Sequence, residues 1–492
     1  MALRLFNTMG RELQEFTPVH GTNVGFYGCG PTVYNYAHIG NLRAYVFQDV
    51  LRRSLAYLGY SVKHVMNVTD IGHLTDDADS GDDKMVKTAK ERGQSVLEIS
   101  RFYTEAFFSD TARLNILEPD VVCKATDHID AMIGLIERLE ARGHTYFSGG
   151  NLYYDISTFP DYGKLARLNL DDLKAGARID VDANKRNPYD FVLWFTKSKF
   201  ENQALVWDSP WGTGYPGWHI ECSAMSMEYL GEQFDIHTGG IDHIPIHHTN
   251  EIAQSEGATG KQWVRYWLHN EFLVMDKGKM SKSGGNFLTL QTVVDKGFDP
   301  LDYRYFLLGG HYRSQLAFSW ESMESARNSR KSLVQRVARL LEAAGDVAPD
   351  GTADIPTASP ARPWLDRFRA HLEDDLSTPR ALSELHGLVR DGSVDPREAL
   401  AALSSMDSVL ALDLAKDARA AREAAHGAAT GVTSGSADDE RVSALVLERA
   451  EAKKAKNFAR ADEIRNQLKA EGVILEDGPA GTTWRRSDGD RA

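Results

Sequence analysis

The chain has 492 residues but only three cysteines, at positions 29, 123 and 222. So few thiols in so long a chain exclude a disulfide framework and favour a reducing compartment, so we expect a cytoplasmic protein. Hydrophobic residues make up 42% and charged residues 26%, which is typical of globular proteins. A single hydrophobic core does not grow to this length, and we therefore expect several domains.

Long apolar runs are also missing. No stretch approaches the roughly 18 apolar residues that span a membrane, and the N-terminal stretch lacks the apolar core of a signal peptide. We therefore expect no membrane partner. Basic residues are fewer than acidic ones, 56 against 70, and the net charge is −14. A nucleic-acid partner would need local basic patches on such a chain.

The most informative stretch is a glycine-containing turn at residues 28–41. It follows a strand predicted over 23–27 and precedes a helix predicted over 42–58, where apolar residues recur at helical spacing. Turns of this kind bind ligands at the carboxyl edge of an α/β sheet, and the helix N-terminus favours phosphate. The turn does not match the Gly-x-Gly-x-x-Gly motif of dinucleotide-binding folds. Taken alone, Cys29 in this turn is more often structural than functional.

Two short motifs indicate a function for the turn. It ends in His38-Ile39-Gly40-Asn41, and a later loop has the sequence Lys279-Met280-Ser281-Lys282-Ser283. An HIGH-like turn followed by a KMSKS loop resembles the class I aminoacyl-tRNA synthetases. Cys29 before the turn and the segment Gly-Trp-His-Ile-Glu-Cys-Ser at 217–223 are similar to the cysteinyl-tRNA synthetase family in particular. The resemblance runs nearly end to end.

The resemblance implies an α/β fold, with a Rossmann-like class I synthetase catalytic domain that carries a connective insertion. A helical bundle and a small C-terminal α/β anticodon-binding domain would follow. The predicted boundaries are 1–120 for the first half of the nucleotide-binding catalytic domain, 121–205 for the insertion, 206–290 for the second half with the KMSKS loop, 291–344 for a helical stem-contact region, 345–362 for a linker, 363–414 for the bundle, 415–437 for a second linker and 438–492 for the anticodon-binding domain.

Three expectations about individual elements matter below. The apolar pattern predicts helical structure over 84–115 and over 290–344, and one helix over 442–471. A hairpin that ends in Trp484-Arg485-Arg486 follows the last of these helices. Candidate phosphate contacts lie along that helix at Lys453, Lys454, Lys456 and Arg460.

A metal site is predicted from four separated residues. His247 and Glu251 are four positions apart, so they share one face of a helix and can converge on one ion. With the thiols of Cys29 and Cys222 they would form a donor set that suits zinc. The resemblance implies one zinc ion per chain at these four positions. His248 is the competing ligand, but its position points about 100° away from the face of the other two.

The resemblance also assigns residues to ATP. His38 and Asn41 of the HIGH-like turn and Lys279 and Lys282 of the KMSKS loop would be catalytic and would bind ATP, which enters with Mg²⁺. Asp242 would accept hydrogen bonds from the ribose hydroxyls. One departure is that Asn41 replaces the final histidine of the family motif, and an amide cannot carry a charge.

The amino-acid pocket is assigned by the same resemblance to Thr69, Trp218 and His237. Without it, core packing or turn capping explains these residues about equally well. A zinc ion would separate cysteine from serine because it binds a thiolate and leaves an alcohol protonated. Cys123 has no ligand at suitable spacing, and we expect it to be an inert packed thiol.

Taken together, these features predict a cysteine–tRNA ligase. Its partners would be L-cysteine, ATP and the cysteine tRNA, and we expect a monomer. One alternative is a related ligase that joins cysteine to an amino sugar in mycothiol synthesis, but such enzymes lack the anticodon-binding end. Another is an inactive zinc- and RNA-binding regulator. The intact His38, Lys279 and Lys282 count against that regulator.

Overall fold

The structure is a computed structural model that describes residues 2–71, 84–168, 183–197, 205–275, 278–279, 287–345, 355–430, 437–454, 457–478 and 481–486. Lys282 lies outside these residues. None of the helices in the described segments is long and apolar enough to cross a membrane. The chain separates into two compact units, one formed by Met1–Leu333 and Ala348–Leu412 and the other by Val334–Val347 and Asp413–Ala492.

The described residues form both strands and helices. The strands are β1 (Arg4–Asn7), β2 (Glu12–Glu15), β3 (Asn23–Gly28), β4 (Ser61–Val68), β5 (Val121–Lys124), β6 (Thr145–Ser148), β7 (Asn151–Tyr154), β8 (Phe191–Phe195), β9 (Tyr215–Pro216), β10 (Phe234–Gly240), β11 (Val264–Asn270), β12 (Leu273–Met275), β13 (Gly278–Lys279), β14 (Leu316–Phe318), β15 (Val473–Gly478) and β16 (Gly481–Arg486). The helices are α1 (Ile39–Tyr57), α2 (Lys84–Arg92), α3 (Val96–Arg113), α4 (Ile129–Ala141), α5 (Trp218–Leu230), α6 (His247–Thr259), α7 (Leu290–Asp295), α8 (Pro300–Leu308), α9 (Trp320–Ala343), α10 (Arg362–Glu373), α11 (Thr378–Leu388), α12 (Pro396–Leu410), α13 (Leu414–Thr430), α14 (Ala437–Lys454) and α15 (Phe458–Ala470).

A five-stranded parallel sheet is the centre of the first unit. Its strands lie side by side in the order β11-β10-β3-β4-β5. The chain moves from β3 to β4 and β5 in one direction, and then returns to add β10 and β11 on the other side of β3. The strand order therefore reverses between β3 and β10. In open α/β sheets ligands bind outside the carboxyl ends of the strands at this point.

The insertion forms a separate antiparallel sheet in the order β6-β7-β8-β9. Both predicted boundaries of the insertion shift with respect to this sheet. Residues 121–124 form β5, which pairs with β4 in the central sheet, and β9 at 215–216 still pairs with β8. Strand pairing decides these boundaries, and the local sequence pattern does not report which strand a segment will join.

Two of the predicted helical stretches are interrupted. The helical pattern over 84–115 is confirmed as two helices, α2 and α3, because Ser95 caps the start of α3. The helical prediction for 290–344 is wrong at 316–318, where β14 pairs in parallel with β12. Around it, α7, α8 and α9 are helical as expected. The small sheet β13-β12-β14 is thus completed by a strand that lies between helices.

The bundle expected over 363–414 is present as α10, α11 and α12, and it clusters with the central sheet in the first unit. A buried guanidinium helps to hold it there. Arg304 on α8 donates to the carbonyl of Leu410 at the end of α12 at 2.7 Å and to that of Leu114 at 2.9 Å. The bundle is therefore a part of the same compact unit.

The single helix predicted over 442–471 is wrong. The structure has two helices there, α14 and α15, because Asn457 caps the start of α15. Lys453 and Arg460 consequently lie on different helices, and Lys456 lies outside the described residues. The hairpin of β15 and β16 is present as predicted. Val442, Ile464, Leu468 and Val473 form the buried core of this small module.

Candidate functional site

The candidate site lies where the strand order reverses, next to the end of β3. Cys29 follows β3 directly, its backbone N–H donates to the carbonyl of Thr238 on β10 at 3.2 Å, and its carbonyl accepts from Gln48 on α1 at 3.3 Å. Gly30 comes next and packs on β4, where a Cβ atom would lie 1.7 Å from the carbonyl oxygen of Asn67. Only glycine fits at this close approach, so the turn is held between β10 and β4.

Four predicted metal ligands come together at this turn. Ligand atoms of Cys29, Cys222, His247 and Glu251 all lie within 4.8 Å of one another. Cys222 is on α5, whereas His247 and Glu251 face it from the first turns of α6. All four side chains are buried, the most exposed being Cys29 at 9%. The fold thus gathers two thiols, an imidazole and a carboxylate from three distant segments.

The two thiols have opposite pKa shifts. A hydrogen bond with Cys222 stabilises the thiolate of Cys29 and lowers the Cys29 pKa well below its ordinary value, against the effect of burial. The same contact, together with burial, raises the pKa of Cys222 well above its ordinary value. The contact between the two thiols therefore favours one thiolate in the pair, and a thiolate is the form that binds metal ions.

The histidine and the carboxylate stabilise each other's charge. Nε2 of His247 lies 3.3 Å from Oε1 of Glu251, and Nε2 of His237 lies 3.2 Å from Oε2. Burial raises the pKa of Glu251, but the two imidazoles outweigh it and the net shift is downward. Burial lowers the pKa of His247, but Glu251 outweighs it and the net shift is well upward. Glu251 is thus a buried carboxylate that keeps its charge.

The donor set fits a zinc ion. Both oxygens of Glu251 are buried, and within the described parts of the chain neither makes a hydrogen bond of acceptable geometry. A buried ionised carboxylate without hydrogen bonds is costly unless a cation compensates it. Thiolate, imidazole and carboxylate are the ligands that zinc takes in proteins, and four donors within 4.8 Å can meet one ion.

Two histidines that the sequence analysis set aside or missed also reach Cys29. Nε2 of His248 lies 3.5 Å from the Cys29 sulfur, and His243 belongs with His247 and His248 to a second group around that sulfur. The expectation that His248 points away is wrong. The cause is Gly239, where a Cβ atom would lie 2.7 Å from His248 and 2.8 Å from His243, so the missing side chain gives both rings room. The three histidines within residues 243–248 were the sequence feature that could have indicated these further contacts with Cys29.

His248 is held in a chain of hydrogen bonds. Its Nδ1 lies 2.8 Å from Nε2 of His269, and Nδ1 of His269 lies 2.7 Å from the hydroxyl of Thr8. Burial, and then the neighbouring His237, lower the pKa of His248 to about 4. A neutral His248 with a fixed ring orientation therefore faces the Cys29 sulfur.

The three predicted pocket residues have different surroundings. The Trp218 ring is half-buried and its centroid lies 4.4 Å from that of His247, beside the cluster. His237 is fully buried, stacked on Trp267 at 4.8 Å and close to Glu251. Thr69 is 1% exposed, and its hydroxyl donates to Glu221 at 2.9 Å. All three lie at the carboxyl edge of the sheet or on the helices around it.

The predicted ATP residues are only partly described. His38 caps α1: its Nδ1 accepts from the backbone N–H of Asn41 at 3.0 Å, and the Asn41 side chain accepts from the backbone N–H of His38 at 3.3 Å. Asn41 is thus one half of a capping box. Asp242 is exposed in the turn after β10, and Lys279 is on β13, where the backbone alone is described.

The HIGH-like turn contacts the segment that follows the KMSKS loop. The backbone N–H of Ile39 donates to the carbonyl of Leu288 at 2.8 Å, and His38 forms a β-bridge with Thr289. The two motifs are far apart in the sequence, but the chain after the second one returns to the start of α1. The segment that follows the second motif therefore lies beside the start of α1.

Comparison with solved structures agrees with this architecture. The structure resembles Mycobacterium tuberculosis methionyl-tRNA synthetase in complex with methionyl-adenylate, with a TM-score of 0.55 and 17% identity, over 81% of this chain and 91% of that one. Residues 15–328 match the family described as the class I (C) tRNA synthetase catalytic domain. The fold is therefore that of a class I aminoacyl-tRNA synthetase.

Relatives narrow the assignment within this class. Residues 438–485 match the cysteinyl-tRNA ligase anticodon binding domain. The cysteine–tRNA ligase of Treponema denticola is 61% identical over 99% of this chain and 100% of its own length, and that of Borreliella burgdorferi is 44% identical over the same shares. The chain belongs to the cysteine–tRNA ligase family.

Proposed function

We propose that this protein activates L-cysteine with ATP to cysteinyl-adenylate and transfers the cysteine to the 3′ end of the cysteine tRNA. The observation that carries the proposal is the buried group of Cys29, Cys222, His247 and Glu251 at the point where the strand order reverses. This group belongs to a chain that is 61% identical to a cysteine–tRNA ligase along its whole length. A thiol-rich metal site next to the HIGH-like turn suits a substrate that is itself a thiol.

Activation needs positioning and charge stabilisation more than it needs a protein nucleophile. The cysteine carboxylate attacks the α-phosphate of ATP in line, and pyrophosphate leaves. Lys282 and, to a lesser extent, Lys279 would meet the charge that grows on the leaving pyrophosphate. His38 would contact phosphate at the N-terminus of α1, and Asp242 would accept from the ribose hydroxyls. Magnesium would accompany ATP as part of the substrate.

Asn41 would position the His38 ring through the capping box that the two residues form. Its side chain accepts from the backbone N–H of His38, while its own N–H donates to the His38 ring. These two contacts hold the imidazole at the first turn of α1. An uncharged amide is sufficient for this work, so the replacement of the final histidine of the motif is compatible with activity.

Cys29, Cys222, His247 and Glu251 would hold one zinc ion. When bound, zinc would supply a thiophilic Lewis acid that prefers the thiolate of cysteine to the hydroxyl of serine. Glu251 would be the ligand that loosens to make room for the substrate thiolate, and its turning would exchange its contacts with His237 and His247. Trp218 would cover the cluster from the side of His247 and exclude water. Thr69 and His237 would line the amino-acid end of the pocket.

The terminal module would read the tRNA. It has a buried core of its own around Val442 and Ile464, and it matches an anticodon-binding family over residues 438–485. Trp484 and its neighbours Arg485 and Arg486 are on β16. An aromatic ring could stack on an unpaired base, and the two cations could bind its phosphates. This module favours tRNA over an amino sugar as the acceptor.

Two measurements on the purified protein test the proposal. ATP–pyrophosphate exchange should depend on cysteine and should be negligible with serine at the same concentration. Cysteine should then be transferred to the cysteine tRNA and not to an amino sugar. Exchange without any transfer to tRNA would support the amino-sugar ligase, and the absence of exchange would support the inactive regulator.

A further inference from the structure

A line of hydrogen bonds connects the turn after β3 with Thr69. The backbone N–H of Gly30 donates to Oδ1 of Asn67 at 2.8 Å, and Nδ2 of Asn67 donates to the hydroxyl oxygen of Thr69 at 3.1 Å. That hydroxyl in turn donates to Oε2 of Glu221 at 2.9 Å. Asn67, Thr69 and Glu221 are exposed by 2%, 1% and 0%. The three side chains are therefore shielded from solvent.

The direction of each bond follows from what each group can do. A backbone N–H can only donate, so the amide oxygen of Asn67 must face Gly30 and its NH₂ group must face Thr69. An NH₂ group cannot accept, so the Thr69 oxygen accepts and its own proton is left for Glu221. The orientation of the Asn67 amide, which is set by the N–H of Gly30, therefore makes the Thr69 hydroxyl an acceptor toward Asn67.

The Thr69 hydroxyl is left with one lone pair and no free proton. A hydroxyl has one donor and two acceptor positions, and Asn67 and Glu221 take one of each. Any further partner must be a donor. Of the polar groups of an ionised cysteine, the thiolate and the carboxylate accept, and the α-ammonium alone donates.

We propose that Asn67 is a positioning residue, which holds the Thr69 hydroxyl as an acceptor for the α-ammonium of the substrate. The proposal rests on the proposed function, because it takes cysteine to be the ligand. The backbone of Thr69 supports the geometry, since its N–H donates to the carbonyl of Pro31 at 3.0 Å and its carbonyl accepts from Val33 at 3.3 Å. Thr69 is therefore held against the same turn that carries Cys29.

The experiment is a double-mutant cycle of N67A and T69V, measured on two ligands. The first ligand is cysteine, through its KM in ATP–pyrophosphate exchange. The second is 3-mercaptopropionate, which has the thiol and the carboxylate but no ammonium group, through its inhibition constant in the same assay. The cycle removes any effect of N67A that acts through Gly30, because that effect is present with and without the Thr69 hydroxyl.

We expect T69V to raise the KM for cysteine about 10- to 100-fold, the factor that the loss of a hydrogen bond to a charged group gives. The inhibition constant of 3-mercaptopropionate should change less than about twofold, which lies within the scatter of such cycles. N67A should raise the KM for cysteine when Thr69 is present. In the T69V background, N67A should change the KM for cysteine by no larger a factor than the inhibition constant of 3-mercaptopropionate. The KM for ATP should stay unchanged.

Asn7 offers a matched control. It is a buried asparagine outside the site, and its Nδ2 donates to Gln14 at 2.9 Å and to the carbonyl of Arg265 at 2.8 Å. N7A should lower the melting temperature and leave both ligand constants unchanged.

Additive effects of N67A and T69V, or equal coupling with both ligands, would overturn the proposal and leave Asn67 a structural residue. If N67A does not fold, T69V alone still tests the acceptor, because an equal loss with both ligands contradicts it. A wild-type protein without cysteine-dependent exchange would instead overturn the proposed function, so the two failures are distinguishable.

Discussion

Arg304 on α8 donates to Asp49 on α1 at 2.5 Å, and both side chains are fully buried. Arg53 donates to the same carboxylate oxygen at 2.8 Å. The Asp49 carboxylate also accepts the backbone N–H of Leu117 at 2.9 Å. The helix that begins at the HIGH-like turn is thereby fixed to α8 and, through the contact of Arg304 with Leu410, to the end of the bundle.

The first prediction concerns this pair. R304M should lower the free energy of unfolding by about 3–5 kcal/mol, because it removes a buried guanidinium that bonds to Asp49 and to the carbonyls of Leu114 and Leu410. Urea unfolding of the purified variant measures the loss. The control is R138M, which breaks the ion pair of Arg138 with Glu232, whose side chains are 44% and 40% exposed. The loss of this exposed pair should lower the free energy of unfolding by at most about 1 kcal/mol. Equal losses in the two variants would contradict the assignment of a buried anchor.

The second prediction concerns the metal. Purified protein should contain about one zinc ion per chain, and C222A should lose zinc and activity together. C123A should keep both, because the Cys123 thiol donates to the carbonyl of Met66 at 3.4 Å and burial raises its pKa to about 12. Elemental analysis and pyrophosphate exchange measure the two quantities. Stoichiometric zinc in C222A would refute the ligand set.

The third prediction concerns the KMSKS loop, which lies mostly outside the described residues. K282A should slow adenylate formation by far more than it weakens cysteine binding, because the charge that Lys282 meets appears in the transition state. Single-turnover formation of the adenylate measures the first effect, and the dissociation constant of cysteine measures the second. An unchanged activation rate would remove Lys282 from the catalytic residues.

The fourth prediction separates the two parts of the proposed reaction. A chain that ends near residue 437 should keep cysteine-dependent pyrophosphate exchange, because the metal cluster and both ATP motifs precede that point. It should lose most charging of the cysteine tRNA, chiefly through a higher KM for tRNA. If the shortened chain charges the tRNA as well as the full chain does, the terminal module is not the anticodon reader.

The fifth prediction is a pH dependence of stability at His64. This side chain on β4 is buried and stacked on Phe26 at 4.2 Å, and among the described residues neither ring nitrogen has a hydrogen-bond partner. Burial, and then Arg52, lower its pKa from 6.5 to about 3. Between these two values the unfolded chain binds the proton and the folded chain does not, so stability falls as the pH falls below about 6.5.

The loss should approach about 1.4 kcal/mol per pH unit in this window. H64F keeps the stack and removes the titrating group, so its stability should fall less than that of the wild type between pH 7 and pH 5. Urea unfolding at the two pH values measures the difference. H20Q, a change at an exposed histidine, is the control and should follow the wild type. Parallel curves for H64F and the wild type would contradict the prediction.

Much of the architecture could be predicted from local sequence. The apolar run of β3, the turn and the spacing of apolar residues in α1 together predict a strand, a ligand-binding edge and a helix. The i and i+4 positions of His247 and Glu251 follow from helix geometry alone. The family assignment follows from the motifs around His38 and Lys282, because short motifs can be recognised in a sequence without knowing how the chain packs.

Other features depended on which segments meet in space. The pairing of β3 with β10 is what brings Cys29 to Cys222 and His247, and strand order is not written in any local pattern. The closeness of His248 to Cys29 required the missing side chain of Gly239. The strand β14 forms because β12 is there to pair with it, although its surroundings in the sequence are helical.

The terminal module shows the same division. Amphipathic spacing over 442–471 indicated helix correctly, but a cap at Asn457 divides it, and the two halves then pack on each other around Ile464. The sequence by itself therefore determined the motifs, the donor types and most helices, because these depend on residues close along the chain. The tertiary structure alone decided which donors converge and how the Thr69 hydroxyl is oriented, because both depend on contacts between segments that are far apart in the sequence.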